Sequence, residues 1–169
     1  MSDDVRFQRL LDAHSPVLWR IAGAYARTRP DREDLYQEML LQVWRALPSF
    51  RSEATERTWL TRIAFNVALG AVRQRDVRRT VDAPAAVDAL ATDAPDPLAT
   101  TDRADALGRL YAALRRLPEA DRALVVLSLD ERSHAEIADV LGLSVSNVAV
   151  RLHRAKARLT TLVSDPVLP

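Results

Sequence analysis

Residues 133 to 159 read SHAEIADVLGLSVSNVAVRLHRAKARL, and their spacing alone implies two short helices joined by a tight turn. Ser133 followed three residues later by Glu136 is a capping-box pattern, and Ile137, Ala138, Val140 and Leu141 supply the buried side of the first helix. Gly142 ends it. Ser144 is a good N-cap for the second, whose core side takes Val145, Val148, Leu152, Ala155, Leu159 and Leu162 at helical spacing. Two helices joined by a Gly-containing turn form a helix-turn-helix. The outer side of the second helix presents Ser146, Asn147, Val150, Arg151, His153 and Arg154, and residues 144 to 162 hold four Lys or Arg and no acid. A helix built to enter the DNA major groove has this composition.

Outward from that stretch, the chain has 169 residues, is 48% hydrophobic with only four Gly, and contains no Cys. Disulfides and Cys-based metal sites are excluded, and an intracellular, cytoplasmic protein is expected. No apolar run approaches the roughly 20 residues of a membrane span, so no membrane insertion is expected. A net charge of +1 gives no hint of nucleic acid, but the average conceals segregation. Residues 51 to 79 hold seven basic against three acidic side chains, whereas 80 to 105 hold six acidic against one basic. His14, His134 and His153 are dispersed, no Gly-rich phosphate loop occurs, and no nucleophile has a base at usable spacing. No catalytic residue, cofactor or metal is therefore expected.

The periodicity predicts a helix over 5 to 28, carrying Phe7, Leu10, Leu11, His14, Leu18, Ile21, Ala22 and Tyr25 on one side, with Pro16 at a kink or restart. Asp31 is expected to cap a second helix ending at Pro48, its core side being Leu35, Tyr36, Met39, Leu40, Val43, Trp44 and Leu47. Its remaining stripe, Asp34, Gln37, Glu38, Leu41 and Arg45, sets a leucine among polar residues on an outward face. A partner surface and a plain solvated face both accommodate that stripe. A third helix over 55 to 75 has Leu60, Ile63, Ala64, Val67 and Ala71 inward. It carries Arg57, Thr58, Trp59, Thr61, Arg62, Phe65, Asn66 and Arg73 on the other side. Cations interleaved with rings and amides suit single-stranded DNA, although a basic helix C-terminus also suits its own dipole.

Periodicity stops at VDAPAAVDALATDAPDPLAT, residues 81 to 100, within a flexible acidic linker expected over 80 to 101. Asp102 is expected to cap a helix to about Arg116, Pro118 to open another, and residues 164 to 169 to form a tail. The expected architecture is all-α: two small helical domains, 1 to 79 and 102 to 163, on either side of the linker.

At 34 to 68, DLYQEMLLQVWRALPSFRSEATERTWLTRIAFNVA resembles region 2 of bacterial sigma factors. At 114 to 159, LRRLPEADRALVVLSLDERSHAEIADVLGLSVSNVAVRLHRAKARL resembles region 4. The linker stands where larger sigma factors have further domains, so the chain resembles the extracytoplasmic-function group. That resemblance implies core RNA polymerase, through its beta-prime and beta subunits, as partner, with Asp34, Gln37, Glu38, Leu41 and Arg45 on the docking helix. It implies capture of the melted -10 element by Thr58, Trp59, Arg62, Asn66 and Arg73, with Trp59 supporting the pocket. It implies reading of the -35 duplex by Ser146, Asn147, Val150, Arg151 and Arg154, and an anti-sigma factor as a further partner. The linker would occupy the RNA exit path. Phe65, Gly70, Ala149 and Val150 depart from residues frequent in the family, which implies fewer phosphate contacts. On the residues alone, a free-standing helix-turn-helix regulator that does not use polymerase is the other reading.

Overall fold

The computed structural model describes residues 3 to 81 and 101 to 164. The expected linker lies outside these apart from its outermost residues, and so does all of the expected tail but Ser164. Seven α-helices and one 3-10 turn account for all regular structure among the described residues: α1 (Asp3–Tyr25), α2 (Arg29–Ala46), the turn Leu47–Ser49, α3 (Glu56–Val81), α4 (Thr101–Arg116), α5 (Glu119–Leu129), α6 (His134–Leu141) and α7 (Val145–Val163). The chain divides into two compact units, one built by α1 to α3 and one by α4 to α7.

In the first unit α1 runs unbroken through Pro16, which supplies no N–H to the helix; the Ser15 hydroxyl one residue earlier donates to the Leu11 carbonyl. The α2 N-cap is Thr28, whose Oγ1 accepts the Asp31 N–H at 3.2 Å, rather than Asp31 itself. The helix starts three residues earlier than expected because Pro30 has the φ of a first turn and loses nothing by lacking an N–H there. Asp31 instead complements the helix dipole from inside that turn.

The core joins Leu10, Leu18, Ile21 and Tyr25 of α1 to Met39 and Val43 of α2 and to Leu60 and Ala64 of α3, all essentially inaccessible. Phe65 and Thr61, expected on the outer side of α3, are buried too, Phe65 meeting Tyr25 edge-on at 6.0 Å. Ile63, Val67 and Ala71, expected inside, are only half-buried. The buried arc of α3 is rotated because that helix packs against α1 and α2 together. Trp44, also expected inside, is 38% exposed and rests edge-on against Phe7 at 5.2 Å.

Polar contacts then fix the bundle ends. Arg75 donates to the Tyr25 carbonyl at 2.7 Å, satisfying an orphan group at the α1 C-terminus. Arg32 stacks on Trp19 at 4.3 Å and donates twice to its carbonyl. Gly23 permits that approach, since a Cβ there would lie 2.8 Å from the guanidinium carbon.

In the second unit the capping box forms as expected: Ser133 Oγ accepts the Glu136 N–H at 3.2 Å, and the Glu136 carboxylate accepts the Ser133 N–H at 2.9 Å. Gly142 ends α6 at φ 66°, where a side chain would be strained, and the Leu143 N–H returns to the Ala138 carbonyl at 3.0 Å. Ser144 caps α7 through the Asn147 N–H at 3.2 Å. Val148, Leu152 and Ala155 are buried against α4, α5 and α6, but Val145, in the first turn of α7, is half exposed. Arg122, itself buried, closes the α4–α5 corner by donating to the carbonyls of Arg115 at 2.7 Å and Leu117 at 3.0 Å.

Candidate functional site

Three surfaces carry the residues singled out from the sequence. On α2, Asp34, Gln37, Glu38, Leu41 and Arg45 are all exposed, and Leu41 is 39% exposed. At about 100° per residue they occupy the arc opposite Leu35, Met39, Val43 and Leu47. An apolar side chain stands there amid carboxylates, an amide and a guanidinium.

On α3, Trp59, Arg62, Asn66 and Arg73 fall within about 60° of one another at the same pitch, all outward, with Asn66 and Arg73 exposed. Thr58 does not join them. It is 4% exposed, and its hydroxyl and N–H both meet Thr55 Oγ1, at 3.0 and 3.2 Å, in the first turn of the helix. Its place in the wheel falls on the buried arc, so it secures the helix start and offers no surface to a ligand.

Beside Trp59 the loop from 50 to 55 forms a pocket of about 210 Å3 walled by Phe50, Arg51, Glu53, Trp59 and Arg62. The Phe50 and Trp59 rings lie 4.8 Å apart at 41°, and the Arg6 guanidinium sits 5.1 Å from the Phe50 ring centre. Ser52 holds the loop with φ 59°, a left-handed conformation uncommon for a residue with a side chain. Sequence reasoning did not single out Phe50, Arg51 or Glu53. The available signal was an aromatic residue isolated in a polar loop just before a basic helix.

A second depression, a groove of about 840 Å3 between α2 and α3, is bordered by Asp34 and Glu38 on one side and Asn66 and Gln74 on the other. Its floor includes Leu35 and Val67. Of the two stripes, only Asp34 and Glu38 of α2 and Asn66 of α3 line this groove; Gln37, Leu41, Arg45, Trp59, Arg62 and Arg73 lie outside it.

On α7, Ser146, Asn147, Val150 and Arg154 are exposed, Val150 by 53%. Arg151 is placed differently from expectation: its Nη2 reaches Asp121 Oδ1 of α5 at 3.2 Å, while Arg158 Nη1 takes Asp121 Oδ2 at 3.2 Å. It sits on the flank of α7 nearest α5, one-third exposed, and not among the outermost residues.

Residues 10–78 match the family model described as sigma-70 region 2, and residues 107–159 match that described as sigma-70, region 4. The chain belongs to the sigma-70 family. It is similar to the RNA polymerase sigma factor NccH of Alcaligenes xylosoxydans xylosoxydans, 31% identical over 166 residues that cover 96% of this chain and 89% of that protein. It is similar also to the ECF RNA polymerase sigma factor SigM of Mycobacterium tuberculosis, 33% identical over 162 residues, 95% and 79% of the two chains. Among solved structures, the sigma factor RpoE from Bartonella quintana, crystallised with the anti-sigma factor NepR, has the same fold. Its TM-score is 0.74 at 22% identity, covering 95% of this chain and 98% of that one. The α2 and α3 stripes and the aromatic pocket thus belong to sigma region 2, and the helix-turn-helix to sigma region 4. Among the described residues no helix is long and apolar enough to cross a membrane.

Proposed function

We propose that this sigma-70 family chain acts in the cytoplasm as an extracytoplasmic-function-type initiation factor that binds core RNA polymerase and directs it to promoters with particular -35 and -10 sequences. It makes and breaks no covalent bond itself. The observation that carries this reading is the presence of both sigma regions, in order, on one chain. A free-standing regulator would leave the whole of region 2 without a role.

Region 2 divides the work between its helices. The α2 stripe of Asp34, Gln37, Glu38, Leu41 and Arg45 is the polymerase-docking surface, contacting the beta-prime subunit, with the beta subunit a further part of the same assembly. Trp59, Arg62, Asn66 and Arg73 receive the unpaired -10 strand, with Thr58 anchoring the helix beneath them. A base extracted from its stack loses a few kcal/mol, and the Phe50–Trp59 pocket returns part of that by ring contact while Arg62 meets the phosphate. Region 4 reads the -35 duplex through Ser146, Asn147, Val150 and Arg154, Val150 being suited to a thymine methyl. Residues 80 to 101 join the two regions and carry the acidic charge proposed to hold the RNA exit path. An anti-sigma factor is the partner proposed to hold the chain inactive, supported by the shared fold with a sigma factor solved bound to one.

Run-off transcription with core polymerase, this protein and genomic promoter fragments tests the reading; absence of both core binding and specific initiation would sink it. Within that assay, Trp59→Ala is expected to shorten the lifetime of heparin-resistant open complexes. Loss of one stacked base is worth about 1–3 kcal/mol, roughly 5- to 150-fold. Core binding by the same variant should be unchanged, because the α2 stripe lies on a different helix. Equal open-complex lifetimes for the variant and the parent chain would remove Trp59 from the DNA site.

A further inference from the structure

The recognition helix α7 carries its three arginines in two settings. Arg154 is exposed among Ser146, Asn147 and Val150, whereas Arg151 and Arg158 both turn to one carboxylate, that of Asp121, at 3.2 Å each. Asp121 lies in the first turn of α5, where the helix dipole also favours an acid, and its side chain is 19% exposed. A single carboxylate within 3.2 Å of both guanidiniums draws them toward the α5 side of α7, Arg151 one-third exposed and Arg158 56% exposed. It also cancels half of their combined charge.

We propose that Asp121 is a positioning residue that withholds Arg151 and Arg158 from the DNA backbone, so that α7 approaches duplex with fewer phosphate contacts than its basic composition implies. This rests on the assignment of α7 as the DNA-facing helix. The physical consequence is selective. Phosphate contacts supply affinity for any sequence, whereas base-edge contacts discriminate. Withholding two cations lowers non-specific binding while Asn147, Val150 and Arg154 remain available to base edges.

The test uses the full chain and a random-sequence 30-base-pair duplex, with affinity measured by fluorescence anisotropy across a salt series. Each phosphate neutralised adds about 0.9 to the slope of log affinity against log salt. Asp121→Asn is expected to steepen the slope by about 1 to 2, and Asp121→Glu, which retains the charge, to leave it near that of the parent. Asp105→Asn makes the same change in net charge at an exposed position on α4 and is expected to move the slope far less. Adding Arg151→Ala and Arg158→Ala to Asp121→Asn should return the slope to the parent value. Thermal melting of each variant establishes that α5 and α7 remain folded under the binding conditions. Equal slopes for the parent and Asp121→Asn, or an equal effect from Asp105→Asn, would overturn the proposal. Because this measurement contains no polymerase, its failure leaves the initiation-factor reading standing, and failure of run-off transcription leaves the Asp121 result interpretable.

Discussion

Leu41→Asp is expected to remove core-polymerase binding, and with it all promoter-specific transcription, while the protein stays folded. Leu41 is 39% exposed on the arc of α2 opposite the core, so the substitution costs the bundle little beside the loss of a buried side chain. On the proposed docking surface the same position is the apolar centre of a stripe whose other members are polar. Hot-spot truncations at such centres cost about 2 kcal/mol or more, roughly a 30-fold loss, and a carboxylate left desolvated adds to that. Gln37→Ala should cost less, since a rim amide is replaced by water with little penalty. Pull-down or anisotropy with labelled core polymerase, beside a far-ultraviolet melting curve, separates binding from folding. A fully active Leu41→Asp would place the docking surface elsewhere on the molecule.

Arg122→Ala is expected to destabilise the region 4 unit strongly, by an amount comparable to truncating one of its buried leucines. Its guanidinium is buried and donates to the Arg115 and Leu117 carbonyls at the end of α4, groups that have no intrahelical partner. Each hydrogen bond from a charged donor contributes about 1.5–3 kcal/mol, and removing the donor leaves the buried Leu117 carbonyl and the part-buried Arg115 carbonyl without it, so a total near 3 kcal/mol is expected. For a unit of this size that lowers the melting midpoint by about 10 °C or more. Arg122→Lys keeps the charge but lacks the planar fork, and should recover only part of the loss. Hydrogen exchange should locate the effect in α4 and α5 and leave α1 to α3 protected as before, because those helices form a separate unit. A midpoint unchanged within about 1 °C would show that the corner is held by packing alone.

The contrast between Arg122 and Arg151 shows where sequence reading stops. Both are arginines in helices of one small unit, and both are engaged by groups that no local pattern announces. Arg122 reaches back to Arg115, seven residues away, and Arg151 reaches Asp121, thirty residues away, across a helix packing that sequence spacing does not encode. The three devices around α6 behave oppositely. Ser133 with Glu136, Gly142 and Ser144 act within four residues of themselves, so the helix boundaries of the turn were legible and the structure reproduces them. The α2 stripe was legible for a similar reason: one helix with one buried face has an opposite face fixed by its pitch. On α3 the same arithmetic placed Trp59, Arg62, Asn66 and Arg73 together but misjudged Thr58 and Phe65. A helix held between two neighbours buries a wider and rotated arc.

By itself, then, the sequence determined the helical class, the division into two units, the helix-turn-helix and its caps, and the sigma family. The first three follow from short-range periodicity and capping chemistry, and the family from the resemblance carried by two stretches in order. Only the tertiary structure decided which side chains on those helices are free to meet a partner. It buried Thr58, brought Phe50 against Trp59 to form a pocket, set Asp34 and Glu38 across a groove from Asn66, and turned Arg151 toward Asp121. The physical reason is that exposure and ion pairing depend on distances between residues far apart in the chain, and those distances exist only once the helices have packed.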